Sequence, residues 1–425
     1  MDLQRSLQEN STALLASPFY PGNNYVMSYR ETPPGLAQPR LPLDLLAAAG
    51  FLSALGARIV DSLLVVLARD FQTTVSVTAI LVAAFTLPYG LNQLILGPLS
   101  DHFGKLRVLL LALTGYTIFM TACGFAGDLT TLTILRACAG ACSAGLIPTC
   151  LAYIGDSVAY EHRQVALSRF LTGVVLAQIM AGPIGGLFGE LLGWRSAFLL
   201  LGGLGLMVAI AIGRRMTGLP ETVAPQAVFS KQNYVLMLRD RPARLLLLVT
   251  VVEGMALPGA FPFLAPYMTE TFGLSYLAVG LILSAFGLGA MGYTYFAPAM
   301  VRVLGEPGLV LVGGGIIAGS LAIVLALDLW PLFILLQIAL GLGYFMLHSV
   351  MQARATELLP EARATAVSSF VFMLFLGQSL GALAVGAVIA WCGYRVAFML
   401  DIAAISVLTL SLFGYMRRSQ PRDIS

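Results

Sequence analysis

The sequence predicts an all-α membrane protein of twelve transmembrane helices, arranged as two pseudo-symmetric six-helix halves. Twelve apolar stretches run from about Leu43 to Met416, each near the length that crosses a bilayer. Charged residues make up 11% of the chain and lie almost entirely between those stretches, against about 25% in a soluble domain. The second half repeats the first at an offset of about 200 residues. A crossing helix needs roughly 20 apolar residues for a hydrocarbon core of about 30 Å. Lipid offers no hydrogen-bond partners, so such stretches must be helical.

In chain order, residues 1–42 are polar and rich in Ser, Asn and Pro, with Pro33, Pro34 and Pro39 as breakers. No positively charged start leads into an apolar core, so this is not a signal peptide. A disordered cytoplasmic tail is expected, either a regulatory arm or a dispensable extension. The crossings are expected at 43–68, 75–98, 106–127, 129–155, 166–191 and 195–216 in the N-terminal half, 43–216. A cytoplasmic linker, 217–242, follows with Pro220, Pro225 and a basic cluster, and Phe229 to Leu238 reads as a short surface helix with Lys231 and Asn233 in water. The C-terminal half, 243–416, holds crossings at 243–267, 274–300, 306–328, 330–354, 365–390 and 394–416, before a tail at 417–425.

Basic residues set the orientation. Lys105, Arg107, Arg163, Arg214, Arg215, Arg239, Arg241, Arg302 and Arg363 fall in loops on one side, with Arg417 and Arg418 in the tail. The opposite loops hold little beyond Arg69, Arg195 and Arg395. Both termini are therefore expected in the cytoplasm. The repeat is visible in Gly193-Trp194-Arg195-Ser196-Ala197-Phe198 against Gly393-Tyr394-Arg395-Val396-Ala397-Phe398, and in Gln178 against Gln378. Earlier in each half the offset is 201, as in Phe71 with Phe272. Six crossings restore the starting side, so the halves share one orientation and can rock about a central site. The five Cys and three His carry no metal spacing, so no metal and no cofactor are expected.

Three runs carry a family resemblance. Gly97-Pro98-Leu99-Ser100-Asp101-His102-Phe103-Gly104-Lys105-Leu106-Arg107 lies between the second and third crossings. Leu135-Arg136 with Gly140 and Gly145 lies in the fourth, and Ala181-Gly182-Pro183-Ile184-Gly185-Gly186 in the fifth. Together they resemble the major facilitator superfamily, drug:proton antiporter type, over about residues 43–416. Departures are His102 where Arg is usual, and Gln178 where the fifth-helix run normally begins with Gly. The resemblance implies a secondary transporter, most readily an exporter. It implies a gate built from Gly97, Asp101, Gly104, Lys105 and Arg107, the acid bonding to the start of the eleventh helix near Thr365. Asp156 and Arg163 extend that charge network, or form an ordinary solvated loop. Gly182, Pro183, Gly185 and Gly186 give a small-faced fifth helix that packs closely on the eighth, and Pro183 permits a bend. Ala285, Gly287, Gly289, Ala290 and Gly292 in the eighth crossing offer a matching small surface.

Charges inside the membrane cost at least about 2.5–3.5 kcal/mol each and are kept when they face a cavity or a partner. Asp61, Glu253 and Arg136 are the candidates for proton coupling. Asp61 follows Arg58 by three residues, so a carrier acid and a permanent ion pair both stand as readings. Glu253 stands as a proton or substrate site or as a structural hydrogen bond. Asp401, in the twelfth crossing, reads as snorkelling or locally paired, with a functional acid as the other reading. For the cargo, the candidates in the first half are Arg58, Phe85, Tyr89, Asn92, Gln93 and Gln178. In the second half they are Phe261, Phe263, Tyr293, His348 and Gln378. Aromatics with a few amides suit a bulky amphipathic molecule. Pro258, Pro262 and Pro266 break the seventh crossing.

The expected function is a proton-coupled exporter of drugs or amphipathic metabolites working by alternating access. The competing readings are a proton-coupled importer of a sugar, organic acid or siderophore, and a receptor or lipid flippase. An enzyme is disfavoured, since no nucleotide loop, no HExxH and no soluble domain are present. The expected partners are a small-molecule substrate, protons and the lipid bilayer, with no nucleic acid. A monomer in a bacterial cytoplasmic (inner) membrane is expected.

Overall fold

In a computed structural model, residues 41–216, 231–327, 329–359 and 363–419 are described, and they form helices and the turns between them. The N-terminal half holds α1 (Leu43–Arg58), α2 (Leu64–Asp70), α3 (Val75–Thr78), α4 (Ile80–Phe103), α5 (Lys105–Cys123), α6 (Leu129–Ser143), α7 (Leu146–Ser157), α8 (Tyr160–Leu187) and α9 (Trp194–Met216). A short helix α10 (Lys231–Arg239) lies where the linker helix was expected, with Met237 buried against Ala243, Leu247 and Ala366. The C-terminal half holds α11 (Arg241–Ala256), α12 (Leu264–Phe272), α13 (Tyr276–Ala326), α14 (Leu332–Glu357) and α15 (Arg363–Ser419). The expected N-terminal tail, most of the linker and the end of the C-terminal tail lie outside the described residues.

Ten of these helical stretches are long and apolar enough to cross a membrane. The difference from twelve lies in α13 and α15, which run to 51 and 57 residues. A straight helix of that length would reach about 77 Å or more, over twice the hydrocarbon thickness. Each is broken once by a glycine at positive φ, Gly305 (62°) in α13 and Gly393 (81°) in α15. The N-terminal half breaks at the matching places, Gly104 (φ 91°) and Gly193 (φ 78°). At these four turns a side chain would be strained, so glycine marks the reversal.

The repeat extends to finer detail. The 3₁₀ turn Phe261–Phe263 between α11 and α12 is matched by a 3₁₀ turn Ile59–Ser62 between α1 and α2. The break in the first crossing was not expected, because no proline marks it. Gln72 adopts φ 51°, matching Gly273 at 65°. At the ends of these crossings an acid of one helix meets an aromatic of another. Trp194 Nε1 donates to Asp70 Oδ2 (2.9 Å), and Tyr394 Oη donates to Glu270 Oε2 (3.0 Å).

The helix ends carrying Lys105, Arg107 and Arg163, with Arg302 beside the break at Gly305, define a basic face; the turns at Gly193, Gly273 and Gly393 define the far face. Contacts that join the halves are described on the far face and at mid-height. A Cβ on Gly182 of α8 would meet the Gly280 carbonyl of α13 at 2.4 Å, and one on Gly280 would meet the Gly182 carbonyl at 2.1 Å. One turn further along, Gly186 lies against the Tyr276 carbonyl in the same way, at 2.3 Å. Only hydrogen side chains allow backbones this close. The expected matching surface on the eighth crossing is met in part: Gly287 packs on the Ile179 side chain of α8, Gly280 and Tyr276 extend that contact toward the far face, and Gly289 faces α14 at the Ile338 carbonyl. At mid-height Thr86 and Ser379 share a hydrogen bond of 2.7 Å, and Tyr89 packs on Phe375 at 4.6 Å.

Candidate functional site

The two broken crossings bring one charge cluster from each half toward the centre. In the first half, Asp61 stands in the 3₁₀ turn that follows α1, with only 4% of its surface exposed. Gly185 of α8 lies against Ile59 and Ser62 of that turn, which holds it in place. Arg58 Nη1 donates to Asp61 Oδ2 at 3.2 Å, and its guanidinium lies over the Phe261 ring of the other half at 4.8 Å. Asp61 Oδ1 is buried and has no hydrogen-bond partner among the described residues. A cavity of about 20 Å³ adjoins this pair, lined by Arg58, Asp61, Gln178, Ala181, Phe261 and Phe286 among others. That is room for about one water molecule.

In the second half, Glu253 near the end of α11 is 1% exposed. Its Oε1 lies 2.9 Å from His348 Nδ1 of α14. Glu253 Oε2, like Asp61 Oδ1, is buried without a partner among the described residues. The His348 ring stacks on Tyr344 at 5.1 Å and lies 5.6 Å from Phe370. Tyr344 continues to Phe286 at 6.1 Å, and Phe286 meets Phe261 edge-on at 5.0 Å. Phe261, Phe286 and Tyr344 therefore bridge the Arg58–Asp61 pair and the His348–Glu253 pair. Tyr344 lies in the field of both Glu253 and Arg58.

Arg136 is wholly buried in α6. Its Nη1 donates to the Gly56 carbonyl of α1 (2.7 Å) and its Nε to the Leu81 carbonyl of α4 (3.5 Å). The guanidinium plane lies over Phe85 at 4.3 Å, while Nη2 has no partner among the described residues. Arg136 does not pair with Asp61 directly but adds to the positive field at that carboxylate. A cation so placed is held by carbonyl dipoles and a ring face rather than by an anion.

The remaining residues named from sequence separate into those near this centre and those away from it. Gln178 lines the small cavity, and Tyr89 and Gln378 lie buried at the mid-height junction. Asn92 and Gln93 are half-exposed in α4. Phe85 and Phe263 are fully enclosed, under Arg136 and against Gly386, and present no surface to a cargo in this conformation. Tyr293 bonds Ser349 at 2.5 Å, tying α13 to α14. On the basic face Lys105 pairs with Asp156, and Arg163 Nη2 donates to the Val158 carbonyl at 3.4 Å. Gly97 lies in α4, and its surroundings and the Asp101 side chain are outside what is described. The sequence did not show that His348 is the partner of Glu253; the two are 95 positions apart and no spacing links them.

The family model described as Major Facilitator Superfamily matches residues 46–329 and 246–424. An uncharacterized MFS-type transporter, YceJ of Bacillus subtilis, is 23% identical over 328 residues, 76% of this chain and 83% of that protein. The multi-drug resistance efflux pump PmrA of Streptococcus pneumoniae is 27% identical over 335 residues, 76% of this chain and 80% of the pump. Among solved structures, a bacterial homolog of the human lysosomal transporter Spinster, in an inward-facing and unoccupied conformation, superposes with a TM-score of 0.72. It is 18% identical and covers 88% of this chain and 96% of its own.

Proposed function

Because the chain belongs to the Major Facilitator Superfamily, we propose that it is a proton-driven exporter of amphipathic organic molecules. It has twelve crossings, its basic face and both termini lie in the cytoplasm, and it works as a monomer in a bacterial cytoplasmic membrane. One observation carries the reading: each half contributes a buried carboxylate that holds one basic partner through one oxygen and keeps its second oxygen unbonded among the described residues. In a membrane interior such an acid is stable as an ion pair or as the neutral form. A proton arriving on Asp61 dissolves its pair with Arg58 and releases the guanidinium above Phe261. A cationic or hydrogen-bond-donating cargo takes the carboxylate when the proton leaves. Glu253 exchanges in the same manner with its partner His348.

Competition of proton and cargo for the same oxygens couples the two flows with opposite sign. Arg136 adds its positive field at Asp61 without capping it. The rings of Phe261, Phe286 and Tyr344 supply apolar faces for a bulky cargo, which suits an amphipathic molecule better than a small ion. Gly97, Asp101, Gly104, Lys105, Arg107, Asp156 and Arg163 form the gate on the basic face. The close α8–α13 junction supports an exporter reading, as does the likeness to an efflux pump.

The test uses purified protein in vesicles with an imposed pH gradient and a fluorescent lipophilic cation. A proton gradient directed into the cytoplasmic side drives the cation the other way. Asp61→Asn and Glu253→Gln each abolish the driven flux while the protein stays folded in the bilayer. Wild-type flux in both variants rejects the carrier assignment, and a cation that moves with the protons makes the protein a symporter instead.

A further inference from the structure

The turn between α4 and α5 and the turn between α8 and α9 are built alike, on opposite faces. Each reverses at a positive-φ glycine, Gly104 on the basic face and Gly193 on the far face. In each, the residue three positions earlier is an acid: Asp101 before Gly104, and Glu190 before Gly193. The corresponding positions before Gly305 and Gly393 are Arg302 and Ala390, so the acid occurs only in the first half.

Glu190 reaches across to the other half. Its Oε2 accepts from the backbone N–H of Leu277 at 2.9 Å. Leu277 is the second residue of α13, and its N–H is one of the donors that a helix start leaves without an internal partner. The next donor, Ala278 N–H, is taken by Ser275 of the same half at 3.2 Å. The first turn of α13 is thus capped jointly by its own half and by the opposite one. Glu190 continues the stripe formed by Gly182 and Gly186, four residues apart along α8, which presses against Gly280 and Tyr276. It also sits within a π-helical turn, Phe188–Leu192, a wider winding that often accompanies functional positions.

We propose that Glu190 is a far-face latch, the counterpart across the membrane of the acid at the basic-face gate. Its carboxylate holds the halves together by capping α13 in the closed state, and it releases that helix start when the far face opens. The junction related by the repeat, where Gly386 of α15 meets Ser76 of α3, carries Ala390 in the equivalent place and has no such charge. Among the described residues, an acid capping a helix start of the opposite half at these two junctions is thus found on the α8–α13 side. Opening begins as separation of α8 from α13, after which the α15–α3 junction can serve as the pivot.

The latch rests on the alternating-access reading, and the test separates the two. Spin labels at positions 127 and 329, in far-face loops of opposite halves, report the distance across that face in a background lacking the native cysteines. Glu190→Gln and Glu190→Ala raise the long-distance, far-face-open population about five-fold, the size expected of one charge at a helix start. Gly186→Leu, a wedge against the Tyr276 carbonyl, is the control and raises it as well. Wild-type distances in both Glu190 variants, with Gly186→Leu shifted, overturn the latch. Distances that Gly186→Leu also leaves unmoved overturn the alternating-access reading, and the latch with it.

Discussion

The α8–α13 contact makes the sharpest quantitative prediction. Replacing Gly182 with Ala places a Cβ 2.4 Å from the Gly280 carbonyl oxygen, about 1 Å short of ordinary contact. The obstructing atom is backbone, fixed within its own helix, so no rotamer change relieves the clash. The halves must separate locally or the helices must shift. Overpacking of a fitted contact costs about 1–3 kcal/mol. If the cost falls on the far-face-closed state alone, that state loses population about 5- to 150-fold relative to the open one. Gly315 is the reference, since a Cβ there meets nothing within 4 Å. Gly315→Ala removes a glycine from a helix interior and is expected to stabilise by up to about 1 kcal/mol. Thermal unfolding in detergent and the far-face distance measurement read the two variants side by side. Gly182→Ala should unfold earlier, open the far face and slow turnover, whereas Gly315→Ala should do none of these. Equal behaviour of the two variants would refute the claim that this contact seals the far face.

Two further predictions follow from the charges. Arg136→Lys keeps the charge but loses the plane over Phe85 and one of the two carbonyl contacts, so it should destabilise by about 1.5–3 kcal/mol in thermal unfolding and cut driven flux. Wild-type stability and flux in that variant would show that the guanidinium shape is irrelevant. Asp70, outside the crossings, is held below the ordinary carboxylate range chiefly by the Trp194 indole N–H and then by Arg195. A lowered value means that the tie is present above the unfolded-state range near about 4 and is lost as pH falls through the lower folded value. Trp194 emission, read in a background lacking Trp330 and Trp391, should stay flat from pH 8 to about pH 5 and change only below about pH 4, with no such step in Asp70→Asn.

The sequence alone determined what depends on local composition and periodicity. Lipid excludes unpaired backbone, so runs of apolar residues must be helices wherever they fall. The repeat was visible because matched residues such as Gly193 and Gly393, or Trp194 and Tyr394, perform the same turn twice. The small face of the fifth crossing was also legible, since Gly182 and Gly186 stand one helical turn apart. Only the tertiary structure decided who meets whom. The first crossing breaks at Asp61 without a proline, and α8 supports that break through Gly185, so no local signal announced it. Glu253 and His348 are brought together by two helices far apart in the chain. Glu190, near the end of the crossing expected at 166–191, shows its tie to Leu277 only once α13 is placed beside it. The far-face partner of Gly182 proved to be Gly280 rather than the small residues further along that crossing. Helix formation is governed by neighbours within a few residues, whereas pairing of buried charges depends on how separate helices rotate and pack. The first is written in the order of residues, and the second exists only once the halves are assembled.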